Sequence, residues 1–248
     1  MNAAASDLLA CRNCEAPLSK GQSYCADCGQ KTSAGRLSMK EIGHDFLHAV
    51  VHVDHSVVSL IRTLPLRPGT VALDYVQGRR KRYFGPFALL VVVAAVASAL
   101  VHITGFRAVT TNNPNVVADF LQAHVNLVFL FQLPLVAAFS RLLDARGPFN
   151  FAEHLVLGAY ASSMRVLFVA VIVIPAWYVF SPGETTARHL YYAYLPIWPL
   201  YFGFATSQFL PGKRAMSFCK GIVAGILAWA ATQALGTLLG SLFLSPRA

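Results

Sequence analysis

The sequence predicts an all-α polytopic membrane protein: about five transmembrane helices behind a small N-terminal four-cysteine zinc ribbon and short amphipathic helices. Three observations lead there. Hydrophobic residues make up 56% of the 248 and charged residues only 12%, about half the roughly 25% usual in soluble domains. The charge is also uneven, because residues 1–83 hold 11 of the 20 Lys and Arg and 7 of the 11 acids. Finally, four of the five cysteines fall within residues 11–28. The chain thus divides into a ribbon (1–35), a cytoplasmic or interfacial helical segment (36–83) and a transmembrane domain (84–248).

The cysteines read Cys11-x-x-Cys14 and Cys25-x-x-Cys28. Each pair can bring two thiolates to one ion, and two pairs complete a tetrahedron, the pattern of a structural Zn²⁺ site with no open position for chemistry. Gly29 suits the tight knuckle that aims N–H groups at sulfur. Two disulfides are the competing reading and need an oxidising compartment. Arg12, Lys20, Lys31 and Arg36 make phosphate contact conceivable, but neither an aromatic platform nor a recognition helix accompanies them, so docking or stability is favoured over nucleic-acid binding. Cys219 stands apart and reads as a small buried apolar residue. No cleavable signal is expected, since the residues before Cys11 include Asp7, no Lys or Arg and no apolar core.

Between ribbon and membrane, Ser38 and Glu41 form a capping box, and Ile42, Phe46, Leu47, Val50 and Val51 follow helical spacing. Pro65 stops a second helix; Pro68 opens a third that ends at Gly78. His44, His48 and His52 recur every four residues, sharing one helix face, so a second metal site competes there with a plain interfacial face.

Crossing a bilayer takes about 20 apolar residues. Five stretches come close: 84–106, 119–141, 153–184, 188–213 and 216–244. Period-two alternation is absent, so helices are the spanning element. Arg79, Arg80, Lys81 and Arg82 precede the first stretch, Arg141 and Arg146 follow the second, and Lys213, Arg214 and Lys220 precede the fifth. The opposite ends carry single arginines. The Lys/Arg bias sets the N-terminus in the cytoplasm and the C-terminus outside. The third stretch contains Arg165, which near mid-membrane costs roughly 2.5–3.5 kcal/mol. A start beyond Arg165 leaves too few residues to span, so a long tilted helix with Arg165 facing protein is expected. Gln132, Gln208, Gln233, His154 and Ser163 are its candidate partners.

Several blocks carry a resemblance: Gly21-x-x-Tyr24-Cys25-x-x-Cys28-Gly29-Gln30, Thr63-Leu64, Arg67-Pro68-Gly69, Asp74-Tyr75-x-x-Gly78-x-Arg80-x-x-Tyr83-x-x-Pro86, Glu153-His154-Leu155-Val156 and Tyr201-Phe202-Gly203. Together they resemble an uncharacterised family of bacterial inner-membrane proteins with an N-terminal zinc ribbon. The resemblance implies that architecture and location, and no reaction. Where members carry further histidines after Glu-His-Leu-Val, this chain has Tyr160 and Ser162, which argues against an intramembrane histidine site on His154.

Orientation alone asks for charge, not for a particular Tyr75 or Gly78. Arg79 to Arg82, and Arg165, are therefore candidates for holding a lipid phosphate or other anion, each basic residue contributing about 1 kcal/mol against an anionic leaflet. Pro196 and Pro199 kink or break the fourth stretch. Gly221-x-x-x-Gly225 and Gly236-x-x-x-Gly240 allow close helix contact inside the bundle or between copies. No catalytic constellation is found. A scaffold or accessory protein docking a cytoplasmic partner is the leading expectation; a transporter or lipid-handling protein is the alternative. Membrane lipids and a second copy are further expected partners, nucleic acid is not, and an enzyme is disfavoured.

Overall fold

A computed structural model describes residues 9–19, 21–32, 35–39, 56–106 and 125–243. It is mostly helical, as the hydrophobic spacing requires. The ribbon begins as a two-stranded antiparallel hairpin, β1 (Leu9–Ala10) and β2 (Pro17–Leu18), with Leu9 opposite Leu18. Among the described residues two short helices follow, α1 (Ser56–Thr63) and α2 (Pro68–Val76). Pro68 opens α2, where a missing N–H costs nothing, and Gly78 beyond its end takes φ +103°, a conformation that favours glycine.

The apolar part comprises α3 (Pro86–Thr104), α4 (Val125–Leu143), α5 (Phe151–Phe180), α6 (Glu184–Tyr194), α7 (Ile197–Phe209) and α8 (Arg214–Phe243). α3 starts on Pro86 and stops at left-handed Gly105. Its buried Leu89, Leu90, Val93 and Ala97 form one face.

The centre is α5. Val156, Leu157, Ala159, Tyr160 and Ala161 are all fully buried, and a helix apolar all round belongs inside a bundle. It packs on α2, α3, α4 and α7. Asn150 and Glu153 cap it reciprocally: Oδ1 of Asn150 accepts from Glu153 N at 2.9 Å, and Oε2 of Glu153 accepts from Asn150 N at 2.6 Å. Within α5, Val169–Val173 forms a π-turn. Pro175 supplies the cause, because it has no N–H to give and its ring crowds the carbonyl one turn back; a widened turn relieves both.

Among the described residues, three helices are long and apolar enough to cross a membrane: Pro86–Thr104, Phe151–Phe180 and Arg214–Leu235. At 1.5 Å per residue the 30-residue α5 is about 45 Å long. The third stretch is thus one long helix that contains Arg165, as expected. In the 188–213 stretch the choice between kink and break falls to a break: there are two helices, α6 and α7, parted at Leu195 and Pro196. Pro196 lacks the N–H that would continue the ladder, and the 13 residues of α7 rise only about 20 Å. In the second stretch α4 is described over Val125–Leu143, and its described apolar part is the shorter Phe131–Leu143.

Glycines bring α7 and α8 together. A Cβ on Gly203 would lie 2.8 Å from the Phe218 carbonyl oxygen, and one on Gly221 would lie 2.7 Å from Gly203 Cα. A Cβ on Gly225 would lie 3.2 Å from Pro199 Cα. Gly221-x-x-x-Gly225 therefore works within the bundle.

Candidate metal centre and the groups around it

The ribbon is built from two similar knuckles. In the first, Cys11 N donates to Ala16 O and Glu15 N to Cys11 O, both at 2.9 Å. In the second, Cys25 N donates to Gln30 O at 2.8 Å and Gly29 N to Cys25 O at 2.9 Å. The residue after each second cysteine is left-handed, Glu15 at φ 64° and Gly29 at φ 66°. Glycine adopts this readily, whereas Glu15 does so against steric resistance.

All four thiols are free, with no sulfur–sulfur bond among them. Sγ of Cys11 lies 3.6 Å from that of Cys28, and Sγ of Cys14 lies 3.6 Å from that of Cys25. The four sulfurs fall within 4.8 Å of one another. Thiolates about 2.3 Å from a tetrahedral ion would sit about 3.8 Å apart, so the set fits a metal ion. Burial opposes ionisation of Cys11. The N–H groups of Cys14 and Asn13 and the thiols of Cys28 and Cys14 outweigh it and bring this thiol down to about 7. The Ala16 N–H favours ionised Cys14, but desolvation and the sulfurs of Cys28, Cys25 and Cys11 push it up to about 12. Four thiols at this spacing cannot all ionise without a cation to share.

The ribbon is tied to the helices beneath it. Gln30 is buried, and its Nε2 donates to Gly78 O. Its Oε1 accepts from Arg80 N at 3.1 Å and Lys81 N at 3.3 Å. Arg12, from the first knuckle, packs on Gly78, 3.2 Å from where a Cβ would stand. Next along the chain, Arg36 grips Glu153 with two 3.1 Å bonds and donates to Pro148 O. That carboxylate holds the Arg36 guanidinium above its ordinary pKa. Leu37 is buried, and its carbonyl accepts from Asn150 Nδ2 at 3.0 Å.

Two side chains of the basic cluster have partners within the protein. Arg79 pairs with Asp74 at 2.9 Å, and Arg80 donates to Gly35 O at 3.0 Å. Tyr83 donates to the other Asp74 oxygen at 2.9 Å; burial first, then Asp74, raises the pKa of its phenol. Tyr75 meets Tyr160 edge-on at 6.0 Å. The Asp74-Tyr75-Gly78-Arg80-Tyr83 motif thus builds the joint between α2 and α3. Within the cluster, Lys81 and Arg82 keep exposed side chains.

Arg165 faces protein. Its Nη1 donates to Gln132 Oε1 at 2.7 Å, its Nε to the Tyr194 hydroxyl at 3.4 Å, and its guanidinium carbon lies 5.0 Å from the Trp198 ring centroid. The group thus joins α4, α5 and both sides of the α6–α7 break. From among the candidate partners, the structure brings Gln132 to Arg165. Gln208 instead serves α2, and Ser163 donates to Ala159 O. His154 is fully buried, with Nδ1 2.9 Å from Ser140 Oγ, while Glu153 caps its helix. Cys219 is exposed, contrary to the buried role expected from its type. His44, His48 and His52 lie outside the described residues.

Sequence reasoning gave no joining role to two side chains that tie segments together: Gln30, which only closed a motif block, and Gln208, which was placed with Arg165 and instead holds α2. In the comparison with protein families, a family described as "Protein of unknown function (DUF3667)" matches residues 59–97, the stretch from α1 through the α2–α3 joint into α3. No curated protein and no solved structure matches the chain.

Proposed function

We propose that this chain is a bacterial inner-membrane protein, N-terminus in the cytoplasm, that acts as a non-enzymatic scaffold or accessory subunit. Its ribbon holds structural zinc and offers a cytoplasmic partner a rigid platform. One observation carries the reading: a four-thiol cluster of tetrahedral size is strapped by Gln30 and Arg36 to the start of two candidate membrane helices. Four thiolates leave zinc no open position for substrate, and the Lys/Arg bias supplies the orientation. Membrane lipids surround the helices, and a second copy has Gly236 and Gly240 available in sequence, since Gly221 and Gly225 serve α7. In-cell crosslinking of the intact chain beside Cys25→Ser tests the scaffold role. The crosslinked partner should disappear with the ribbon; an unchanged crosslink pattern overturns the reading.

A second reading is favoured by the α6–α7 break beside Arg165. Discontinuous helices line ion and substrate sites in many transporters, and Arg165 with Lys81 and Arg82 would handle an anionic group or lipid. Two surface depressions of about 480 and 520 Å³ flank Pro148 and Pro211, away from Arg165. Loss of anion or lipid binding in Arg165→Ala supports this reading; unchanged binding removes the residue from it.

A further inference from the structure

The ribbon has almost no core of its own. Among the described residues its buried apolar cluster is Cys11, Leu18 and Cys25, with Ala16 and Cys28 packed alongside. Three of those five are ligands of the candidate metal. The hairpin strands are two residues each. Segments of this kind fold when metal binds and unfold when it leaves, because binding and folding free energy are one quantity.

Gln30 stands two residues beyond Cys28 and is locked into the second knuckle, its carbonyl accepting from Cys25 N. Its side chain reaches out of the knuckle to three backbone groups of one loop, Gly78 O, Arg80 N and Lys81 N. That loop joins α2 to α3, and Arg12 of the first knuckle presses on it at Gly78. Both halves of the metal centre therefore bear on the same backbone. Arg80 also reaches back to Gly35 O, whereas the ties from Asp74 to Arg79 and Tyr83 come from within 74–83 and persist without the ribbon.

We infer that the ribbon is a metal-dependent latch on the 78–81 loop, with Gln30 as its tongue. Metal-loaded, it fixes the backbone that presents Lys81 and Arg82; metal-free, it releases that backbone while α2 and α3 stay in place. The inference rests on the metal-ribbon reading and extends it from stability to regulation.

The experiment is hydrogen–deuterium exchange on the full chain in nanodiscs, with metal content measured on the same samples. Removing metal with a chelator should speed exchange at the Arg80 and Lys81 amides by about tenfold, the scale of one lost hydrogen bond. Metal-loaded Gln30→Ala should show the same acceleration. Arg36→Ala cuts the strap at another point and should leave those two amides protected. Unchanged exchange after metal removal, or full protection in metal-loaded Gln30→Ala, overturns the latch. A chain that binds no metal overturns the ribbon reading beneath it.

Discussion

Gln208 holds the first turn of α2 from a distance of 139 residues in sequence: its Oε1 accepts from Gly69 N at 3.1 Å. Thr70 N approaches the same oxygen at 3.4 Å, and Gln208 Nε2 donates to Leu66 O at 3.0 Å. One amide thus replaces the side-chain cap that Arg67 does not provide. Gly69 is needed because a Cβ there would fall 1.9 Å from Ala205 O. The Pro68-Gly69 pair is therefore a packing requirement between α2 and α7.

This contact gives the first prediction. Gly69→Ala should lower stability by about 3 kcal/mol, as for overpacking against backbone, and Gln208→Leu by about 1 kcal/mol for the lost cap. Thermal unfolding in detergent measures both, and a stable Gly69→Ala chain would contradict the backbone approach.

Metal binding should depend on pH in a defined direction. The bound form needs thiolates, whereas the free cluster keeps Cys14 protonated, its thiol lying at about 12. Binding near neutrality must then expel at least that proton, and affinity must fall as pH drops through the Cys11 value of about 7. Calorimetry in buffers of different ionisation enthalpy counts the protons released. Cys25→Ser should sharply reduce the metal content.

Arg165 and Gln132 should behave as a unit. Arg165→Met strands a buried amide oxygen and should cost about 1–3 kcal/mol. Combining Arg165→Met with Gln132→Leu replaces both partners and should cost less than the sum of the single changes. Arg165→Lys should not rescue, because a lysine cannot hold the forked geometry. Strict additivity in the double-mutant cycle would mean that the 2.7 Å contact carries no energy.

The Arg36–Glu153 pair is lopsided, with the Arg36 side chain 61% exposed and that of Glu153 4%. Removing Glu153 also removes its half of the reciprocal cap of α5, the bond from Asn150 N, so Glu153→Ala should lose about 1 kcal/mol from that bond alone. Arg36→Ala should lose less, since an exposed pair contributes little. Chemical unfolding monitored on α5 tests the order; equal losses would deny the cap its role.

Local features were legible and distant ones were not. Cysteine spacing acts over three residues, and the metal cluster followed from it directly. The long α5 with Arg165 inside followed from arithmetic on span length. The break at Pro196 was visible only as a choice between kink and break, because proline removes one hydrogen bond either way and tertiary contacts decide the rest. Gln30 meets Gly78 across 48 residues, and no periodicity marks a glutamine that binds backbone. The basic run was read by its charge, yet two of its four members are taken up by Asp74 and Gly35. Charge shows in a sequence; the partner that consumes it does not.

The π-turn at Val169–Val173 also fixes rotational register. Each residue turns an α-helix by about 100°, so one residue of slack sets which way everything beyond it points. Beyond it stands Trp177, edge-on to Phe106 at 5.3 Å. Deleting one residue from the wide turn would close it to α geometry and keep Trp177 on Phe106, whereas deleting one from a regular turn between Arg165 and Trp177 would swing Trp177 about a quarter-turn away. The far end of α5 is thus indexed separately from the near end, like a shaft with a keyed coupling.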